Sequence, residues 1–156
     1  MLFRSIENAS LFHFGVMTSA MHMAWTRRVC GRLKSDYQYS ALIVYNNFPW
    51  PDNPTDAAKL KIETAAQAVL DARAAFPDSS LADLYDPLTM PPALVKVHQK
   101  LDAAVDAAYL ITANRKSFKN DAERVAFLFE LYQQYTTLLP HEAKPAKSST
   151  ARAKRE

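Results

Sequence analysis

The sequence contains very little of what several common protein classes require. Its one cysteine, Cys30, cannot form a disulfide within the chain, and its place in a predicted helix is typical of a small packed apolar side chain. Its two glycines are too few for the turns of an all-β protein, and few for a glycine-rich phosphate loop. Helix is therefore expected to dominate.

Long apolar runs and export signals are also missing. No run approaches the roughly 20 residues that a membrane helix needs, and the N-terminus lacks a charged stretch followed by an apolar core. We therefore expect a cytoplasmic protein without a membrane partner. With 49% hydrophobic residues, the chain can bury one core, or one core and a smaller satellite.

Groups that could carry out chemistry do not cluster in the sequence. None of the four histidines lies at ligand spacing from another histidine, a cysteine or paired acids, so no metal site is predicted. Residues 77–78 (Pro-Asp) and 142–144 (Glu-Ala-Lys) match the letters of a metal-dependent nuclease motif only by coincidence. Residues 46–50 superficially resemble the Asn-Pro-Pro-aromatic motif of amino-methyltransferases, but a structural corner is the better interpretation. We predict no catalytic residue.

The net charge of +3 hides an uneven distribution. Residues 1–51 carry +3, residues 52–139 carry −3 and residues 140–156 carry +3. An anionic partner would be attracted to the basic front of the chain. An ordinary solvated distribution of charge is the alternative that composition leaves open.

Short strands are predicted on both sides of a first helix. Residues 2–17 hold short apolar and aromatic runs, which indicate two strands or a strand and an irregular lead-in. Residues 32–45 alternate in part and end in a β-branched run at 42–45, which is typical of a buried strand. The two prolines in residues 48–51 stop this strand, because proline cannot donate a hydrogen bond to a sheet.

The helix between these strands is expected to begin at a cap, Thr18 or Ser19, and to reach about Cys30. Gly31 is placed to end it in a left-handed conformation. One face of the helix is predicted to be core and the other to be available to a partner. The core face holds Met21, Ala24, Trp25 and Val29, and the available face holds Ser19, Met23, Thr26 and Arg27.

Amphipathic helices fill the rest of the chain after a joint at residues 49–54. They are expected to begin at the caps Asn53, Ser80, Pro91 and Asn120 and to end near Phe76, Pro87, Leu110 and Leu139. Such helices should pack together as a small bundle. The predicted class is α+β, mostly α, with short N-terminal strands (1–51), a helical domain (52–139) and a disordered basic tail (140–156).

Three charged residues, Arg32, Lys34 and Asp36, alternate in the extended run and are expected to project on one side. Lysine can donate to guanine O6 and N7, and aspartate can accept from the N4 amine of the paired cytosine. A surface ladder of ion pairs on an edge strand is the open alternative. His22, which flanks the polar face of the first helix, could contact a phosphate or a base.

Four stretches together resemble the C-terminal region of MmeI-like (Type IIL) restriction-modification proteins. They are TSAMHMAWTRRVCGRLKSDYQYS (18–40), IVYNNFPWP (43–51), AQAVLDARAAFPDSSLADLYDPLTMPPAL (66–94) and KSFKNDAERVAFLFELYQ (116–133). In that family one polypeptide carries a nuclease domain, an S-adenosylmethionine-dependent adenine methyltransferase domain, a target recognition domain and a C-terminal helical domain. The resemblance implies that residues up to about Pro51 are the end of the recognition domain and that the helical domain follows.

The resemblance also implies roles for individual residues. The family's nuclease, cofactor-binding and Asn-Pro-Pro motifs are missing from this sequence, so the chain should neither cleave nor methylate DNA and should hold no cofactor itself. The positions that match Lys34 and Asp36 act as a specificity pair. Candidate contacts to the DNA backbone or flanking bases are Arg32, Arg27, Tyr37, Tyr39 and Ser40.

The leading hypothesis is thus a DNA sequence-recognition fragment of a site-specific adenine methyltransferase, with double-stranded DNA and a methyltransferase domain on another chain as partners. The alternative is a helical protein-interaction module that assists a methyltransferase subunit, with the acidic middle of the chain as its contact surface.

Overall fold

The structure, a computed structural model, describes residues 6, 8–111 and 116–138 of the 156-residue chain. This part is mostly helical with one two-stranded antiparallel sheet, which confirms the predicted class. Its elements are α1 (Leu11–Thr18), α2 (Ala20–Val29), β1 (Gly31–Leu33), β2 (Asp36–Gln38), a π-helical turn (Ala41–Tyr45), α3 (Asp56–Ala74), α4 (Leu81–Leu84), α5 (Pro92–Leu110) and α6 (Asp121–Leu138). The expected disordered tail and residues 2–5 of the expected first strand lie outside the described residues.

The prediction of strand up to Met17 is wrong, because residues 11–18 form the helix α1. Ser10 caps this helix: its Oγ accepts from the Phe12 amide at 3.2 Å, and the Ser10 amide donates to His13 Nδ1 at 3.1 Å. Gly15 lets α1 pack closely on its neighbours, since a Cβ there would lie 2.7 Å from Ile62 Cγ2. Tertiary packing thus selects helix for a run too short to show helical periodicity.

Helix α2 is confirmed, with Ser19 as its cap and Cys30 as the residue after its end. The expected left-handed Gly31 is wrong: Cys30 leaves the helix in an extended conformation, and Gly31 begins β1 without a positive φ. The prediction of an available face is wrong for two of its four residues. Ser19 and Thr26 are buried, because α2 packs against α1, α5 and α6 at once, whereas Met23 is partly buried and Arg27 is exposed.

The buried strand predicted at residues 42–45 is wrong as well. This segment is a π-helical turn that Ser40 caps, with Ser40 Oγ 3.4 Å from the Ile43 amide. Asn47 Nδ2 donates to the carbonyl oxygens of Leu42 and Ile43, at 2.8 and 3.0 Å. Of the four residues only Val44 is fully buried. Local side-chain hydrogen bonds therefore replace the expected sheet pairing.

The four later helices are confirmed, with one shifted start. Helix α3 begins after Thr55, whose Oγ1 accepts from the Ala58 amide at 3.2 Å, instead of after Asn53, which adopts a positive φ of 43°. Helix α4 has the predicted capping box between Ser80 and Asp83, and α5 begins at the second of its two prolines. The Ser80 cap could be read from sequence because a capping box is a local pattern of two residues.

The core lies among α1, α3 and α5 on one side and α2 and α6 on the other. Its largest fully buried side chains are Trp25, Tyr109, Met21, Ile62, Leu94, Leu101 and Leu128. Within the described residues, no helix is both long and apolar enough to cross a membrane.

Charged groups fix the position of α2 in this core. Asp102 on α5 accepts the Ala20 amide at the start of α2, at 2.7 Å. Arg124 on α6 pairs with Asp106 at 2.7 Å and with Asp121 at 3.2 Å, and its side chain is only 14% exposed. Burial is the largest influence on the Asp102 carboxyl and raises its pKa. Asp102 thus holds the start of α2 on α5, Arg124 joins α6 to α5, and the pair of Arg27 with Asp121 at 2.6 Å joins the end of α2 to α6.

Candidate nucleic-acid interface

The sheet is a small hairpin that projects from the end of α2. Gly31 pairs with Gln38, Arg32 with Tyr37 and Leu33 with Asp36, so the turn consists of Lys34 and Ser35 alone. All residues from 31 to 39 are exposed. Lys34 has a φ of +58°, a positive value of the kind that the common two-residue hairpin turns require at their first central residue. The basic side chain of Lys34 thus stands at the tip.

The prediction that Arg32, Lys34 and Asp36 project together from one extended strand is wrong. The chain reverses between Leu33 and Asp36, so Lys34 belongs to the turn. Arg32 and Asp36 lie at neighbouring cross-strand pairs and therefore point to opposite faces of the hairpin. What remains of the prediction is that Lys34 and Asp36 are both exposed and two residues apart at the tip.

Arg32 and Tyr37 form a stacked pair on one face of the hairpin. The guanidinium carbon of Arg32 lies 4.4 Å from the centre of the Tyr37 ring, and Nη2 donates to the Tyr37 hydroxyl at 3.1 Å. Nη1 lies 3.4 Å from the Ser35 carbonyl oxygen. The stack holds the guanidinium flat while the planar group keeps further N–H donors for an anionic partner.

His22 and Tyr39 are joined at the base of the hairpin. His22 Nε2 lies 3.0 Å from the Tyr39 hydroxyl oxygen, and the His22 ring packs edge to face on Phe48. His22 is 3% exposed, and burial lowers its pKa to about 4. The expected contact of His22 with a phosphate or base therefore has no support from its position. Tyr39 is 44% exposed, and burial of its hydroxyl raises its pKa to about 12.

The other two candidates, Arg27 and Ser40, already have partners within the chain. Arg27 Nη1 lies 2.6 Å from Asp121 on α6, and the Ser40 hydroxyl caps the π-helical turn. Sequence reasoning missed Arg28, which is exposed in the last turn of α2, next to the hairpin. The sequence did contain a signal for Arg28, because two adjacent arginines at a helix end cannot both face the neighbouring helix.

Two apolar side chains beside the hairpin were also missed. Leu42 is 70% exposed and Ile43 is 55% exposed, on the π-helical turn that follows the hairpin. The expectation of a buried strand concealed them. In the described residues, no group of three or more His, Cys, Asp or Glu side chains could hold a metal ion.

Taken together, fold and site define a helical scaffold that carries an exposed hairpin rich in hydrogen-bonding groups. Two family models match the chain: the target recognition domain of MmeI over residues 2–52 and the C-terminal domain of MmeI over residues 54–140. These matches cover most of the sequence. The chain belongs to the MmeI family, which confirms the resemblance seen in its motifs.

The chain matches a small part of two much longer relatives. It is 44% identical over 131 residues to DNA methyltransferase A of Bacillus subtilis (strain 168), a match that covers 84% of this chain and 14% of that protein. It is similar to a solved structure of the Type IIL restriction-modification enzyme MmeI in complex with DNA, with a TM-score of 0.77 and 49% identity. That match covers 83% of this chain and 17% of the MmeI chain.

Proposed function

We propose that this chain is the sequence-reading portion of an adenine-specific DNA methyltransferase system, and that it is not catalytic alone. The observation that carries the proposal is the exposed tip of the hairpin, where Lys34 and Asp36 stand within the region that the target-recognition model matches. The solved MmeI relative is described in complex with DNA, which supports the same partner for this chain.

The shape of the hairpin suits the major groove of DNA. This groove is about 12 Å wide and admits a two-stranded β-ribbon. Among the residues that the structure describes, no helix packs extensively on the hairpin, and residues 31 to 39 are exposed. Its tip could therefore enter the groove without a change in the scaffold.

The chemistry of the tip suits one G·C base pair. The Lys34 ammonium donates to guanine O6 or N7, and the Asp36 carboxylate accepts from the N4 amine of the paired cytosine. Arg32 on its Tyr37 stack, together with Arg28, supplies cations for the phosphates on either side. Each base-specific contact of this kind discriminates by about 1–3 kcal/mol.

Methyl transfer itself belongs, in this proposal, to another polypeptide. S-adenosylmethionine does not fit the described residues: Gly15 lies inside α1 against Ile62, and Gly31 begins an exposed strand, so neither forms a glycine turn between a strand and a helix. The methyltransferase domain that binds this cofactor would be the second partner of the chain.

The test is a charge exchange at the tip. The purified chain is titrated with duplexes that differ at single base pairs, first at low ionic strength because a small module makes few phosphate contacts. The double variant Lys34→Glu with Asp36→Arg is expected to shift preference at one base pair and to leave the other positions unchanged. The matched control, Lys61→Glu with Asp78→Arg, changes exposed residues of the same charges far along the chain and is expected to change nothing.

Two results would contradict the proposal. One is the absence of DNA affinity at low ionic strength. The other is an unchanged base preference in the Lys34 and Asp36 double variant. Addition of a methyltransferase domain in trans should restore sequence-specific methylation, and the product of the exchanged variant should carry the shifted preference.

The second candidate function is a protein-interaction module that assists a methyltransferase subunit. The exposed pair Leu42 and Ile43 favours it, because two large apolar side chains on one short turn offer a surface for another protein. Capture of a methyltransferase-domain protein that resists nuclease treatment and is lost with Leu42→Ser and Ile43→Ser would support it. Capture that nuclease abolishes would favour the DNA-reading function.

A further inference from the structure

The hairpin is attached to α2 at two points. The first is covalent, because β1 follows α2 after Cys30, whose amide donates to the Thr26 carbonyl at 3.0 Å. The second is Tyr39, the residue after β2, whose hydroxyl lies 3.0 Å from His22 Nε2 on α2, and without this contact the hairpin could rotate about the first point.

The His22 ring is held in one orientation by its surroundings. It is 3% exposed and packs edge to face on Phe48, with 4.6 Å between ring centres. The next turn of α2 is fixed too, because Trp25 Nε1 donates to the Val44 carbonyl at 3.1 Å. The lowered pKa of about 4 keeps the ring neutral at pH 7, so it carries a single N–H.

The position of that N–H follows from the unpaired ring nitrogen. His22 Nδ1 is buried and has no hydrogen-bond partner among the described residues. A buried N–H without a partner is rarer in native proteins than an unpaired acceptor. The proton therefore belongs on Nε2, which donates to the Tyr39 oxygen. The hydroxyl hydrogen of Tyr39 then remains available to another acceptor.

We propose that His22 is the positioning residue of the hairpin: its Nε2–H holds the Tyr39 hydroxyl and so fixes the direction in which the tip, Lys34 and Asp36, points from the scaffold. This inference rests on the proposed DNA-reading function for its biological consequence, but its structural part stands alone. His22 itself touches no DNA. Tyr39 acts as the tether, in place of the direct backbone contact expected from the sequence.

The experiment measures hairpin orientation by residual dipolar couplings of the full chain in solution. The couplings of residues 31–38 are expected to fit the same alignment as the helices. Two variants should reduce the hairpin couplings and leave those of the helices unchanged. Tyr39→Phe removes only the hydroxyl of Tyr39, and His22→Leu removes the donor. His22→Gln should restore them, because its amide N–H can reach the same oxygen.

Thr26→Val is the matched control. It removes another buried polar atom, Thr26 Oγ1, which also has no hydrogen-bond partner in the described part of the chain and lies one helical turn from His22. Its hairpin couplings should equal those of the unmodified chain. Hairpin couplings that never fit the alignment of the helices, or that survive unchanged in Tyr39→Phe, would overturn the inference.

A second readout separates this inference from the proposed function. In Tyr39→Phe the preference for the recognised base pair should fall about fivefold, the factor that corresponds to one ordinary net hydrogen bond, while sequence-independent affinity stays the same. Hairpin couplings that behave as expected in a chain without any base preference support the positioning role and refute the proposed function. Couplings that stay unchanged while the base preference is present refute the positioning role and support the function.

Discussion

The hairpin and the helical scaffold are built on opposite principles. Between residues 31 and 39 every side chain is exposed, and the strands bond to each other. In the scaffold α1, α3 and α5 interlock so closely that Gly15 has no room for a Cβ, and the side chains of Ile62 and Leu101 are fully buried. Stability therefore comes from the scaffold, whereas the hairpin adds almost none.

Under the proposed function, this separation would let the tip change without a loss of stability. Substitutions at the hairpin tip can alter hydrogen-bonding groups without loss of buried area, because no apolar surface leaves water there. The two regions communicate through α2, which continues into β1 and holds Tyr39 through His22. Changes in the scaffold, in the hairpin and in this joint should consequently have different effects, which can be measured separately.

The largest effect is expected from the scaffold. Leu101→Ala should lower the free energy of unfolding by about 2–5 kcal/mol, because it leaves a cavity beneath α1 in a fully buried site. Leu42→Ala, at a side chain that is 70% exposed, is the control and should change it by less than about 0.5 kcal/mol. Urea unfolding followed by tryptophan fluorescence measures both. Equal losses in the two variants would refute the division between scaffold and exposed surface.

The next largest effect is expected at the contact between His22 and Tyr39, and it depends on pH. The pKa of His22 is about 4 in the folded chain and 6.5 in the unfolded chain, so between these values only the unfolded chain takes up the proton. Stability is therefore expected to fall as the pH falls from 6.5 to 4, by about 3 kcal/mol in total. The His22→Gln variant should lack this part of the loss. Urea midpoints across this pH range measure the difference.

The unmodified chain and the His22→Gln variant must be compared at each pH, because other groups also titrate in this range. Burial lowers the pKa of His98 and raises the pKa of Asp102, and these two shifts act on stability in opposite directions as the pH falls. Both groups are present in the unmodified chain and in His22→Gln, so their contributions cancel in the difference. Parallel pH profiles for the two proteins would mean that His22 is not the buried neutral group described above.

The difference between the helical scaffold and the hairpin also explains which parts of the fold could be predicted from the sequence. Helices α4, α5 and α6 were predicted because their caps and apolar stripes are local patterns, as in the Ser80 and Asp83 box. The family was predicted from motifs that span both regions of the chain. The periodicity of α3 was equally clear, and only its cap was misplaced, from Thr55 to Asn53.

The failures concern short apolar runs without a clear periodicity. Distant packing selects the helix at residues 11–18, as in the contact of Ile62 with Gly15, whereas local bonds from Ser40 and Asn47 and the Trp25 indole on the Val44 carbonyl together hold residues 41–45. The hairpin turn was missed because turn prediction looks for glycine or asparagine at a left-handed position, and lysine stands there instead. The joint between His22 and Tyr39 depends on contacts 17 residues apart, which no local pattern announces.

Lys34 is expected to give the smallest effect on stability. It also offers the sharpest test of the difference between hairpin and scaffold. A left-handed conformation costs a non-glycine residue about 1–2 kcal/mol, so Lys34→Gly should relieve local strain, offset in part by the greater freedom of glycine in the unfolded chain. We expect the hairpin to be retained, global stability to change by less than about 1 kcal/mol, and base preference at the tip to be lost. Cross-strand nuclear Overhauser effects and duplex titrations measure the two outcomes.

Ser35→Gly provides the comparison for this last variant, because Ser35 has no positive φ to relieve and its side chain is not assigned to a base. It should weaken the hairpin slightly and keep the base preference. If Lys34→Gly kept its preference while the hairpin remained folded, Lys34 would be a turn residue only, and recognition would have to come from Asp36 and the Arg32 face. A well-formed hairpin that has lost its preference would instead show that the ammonium group, and not the turn it occupies, reads the DNA.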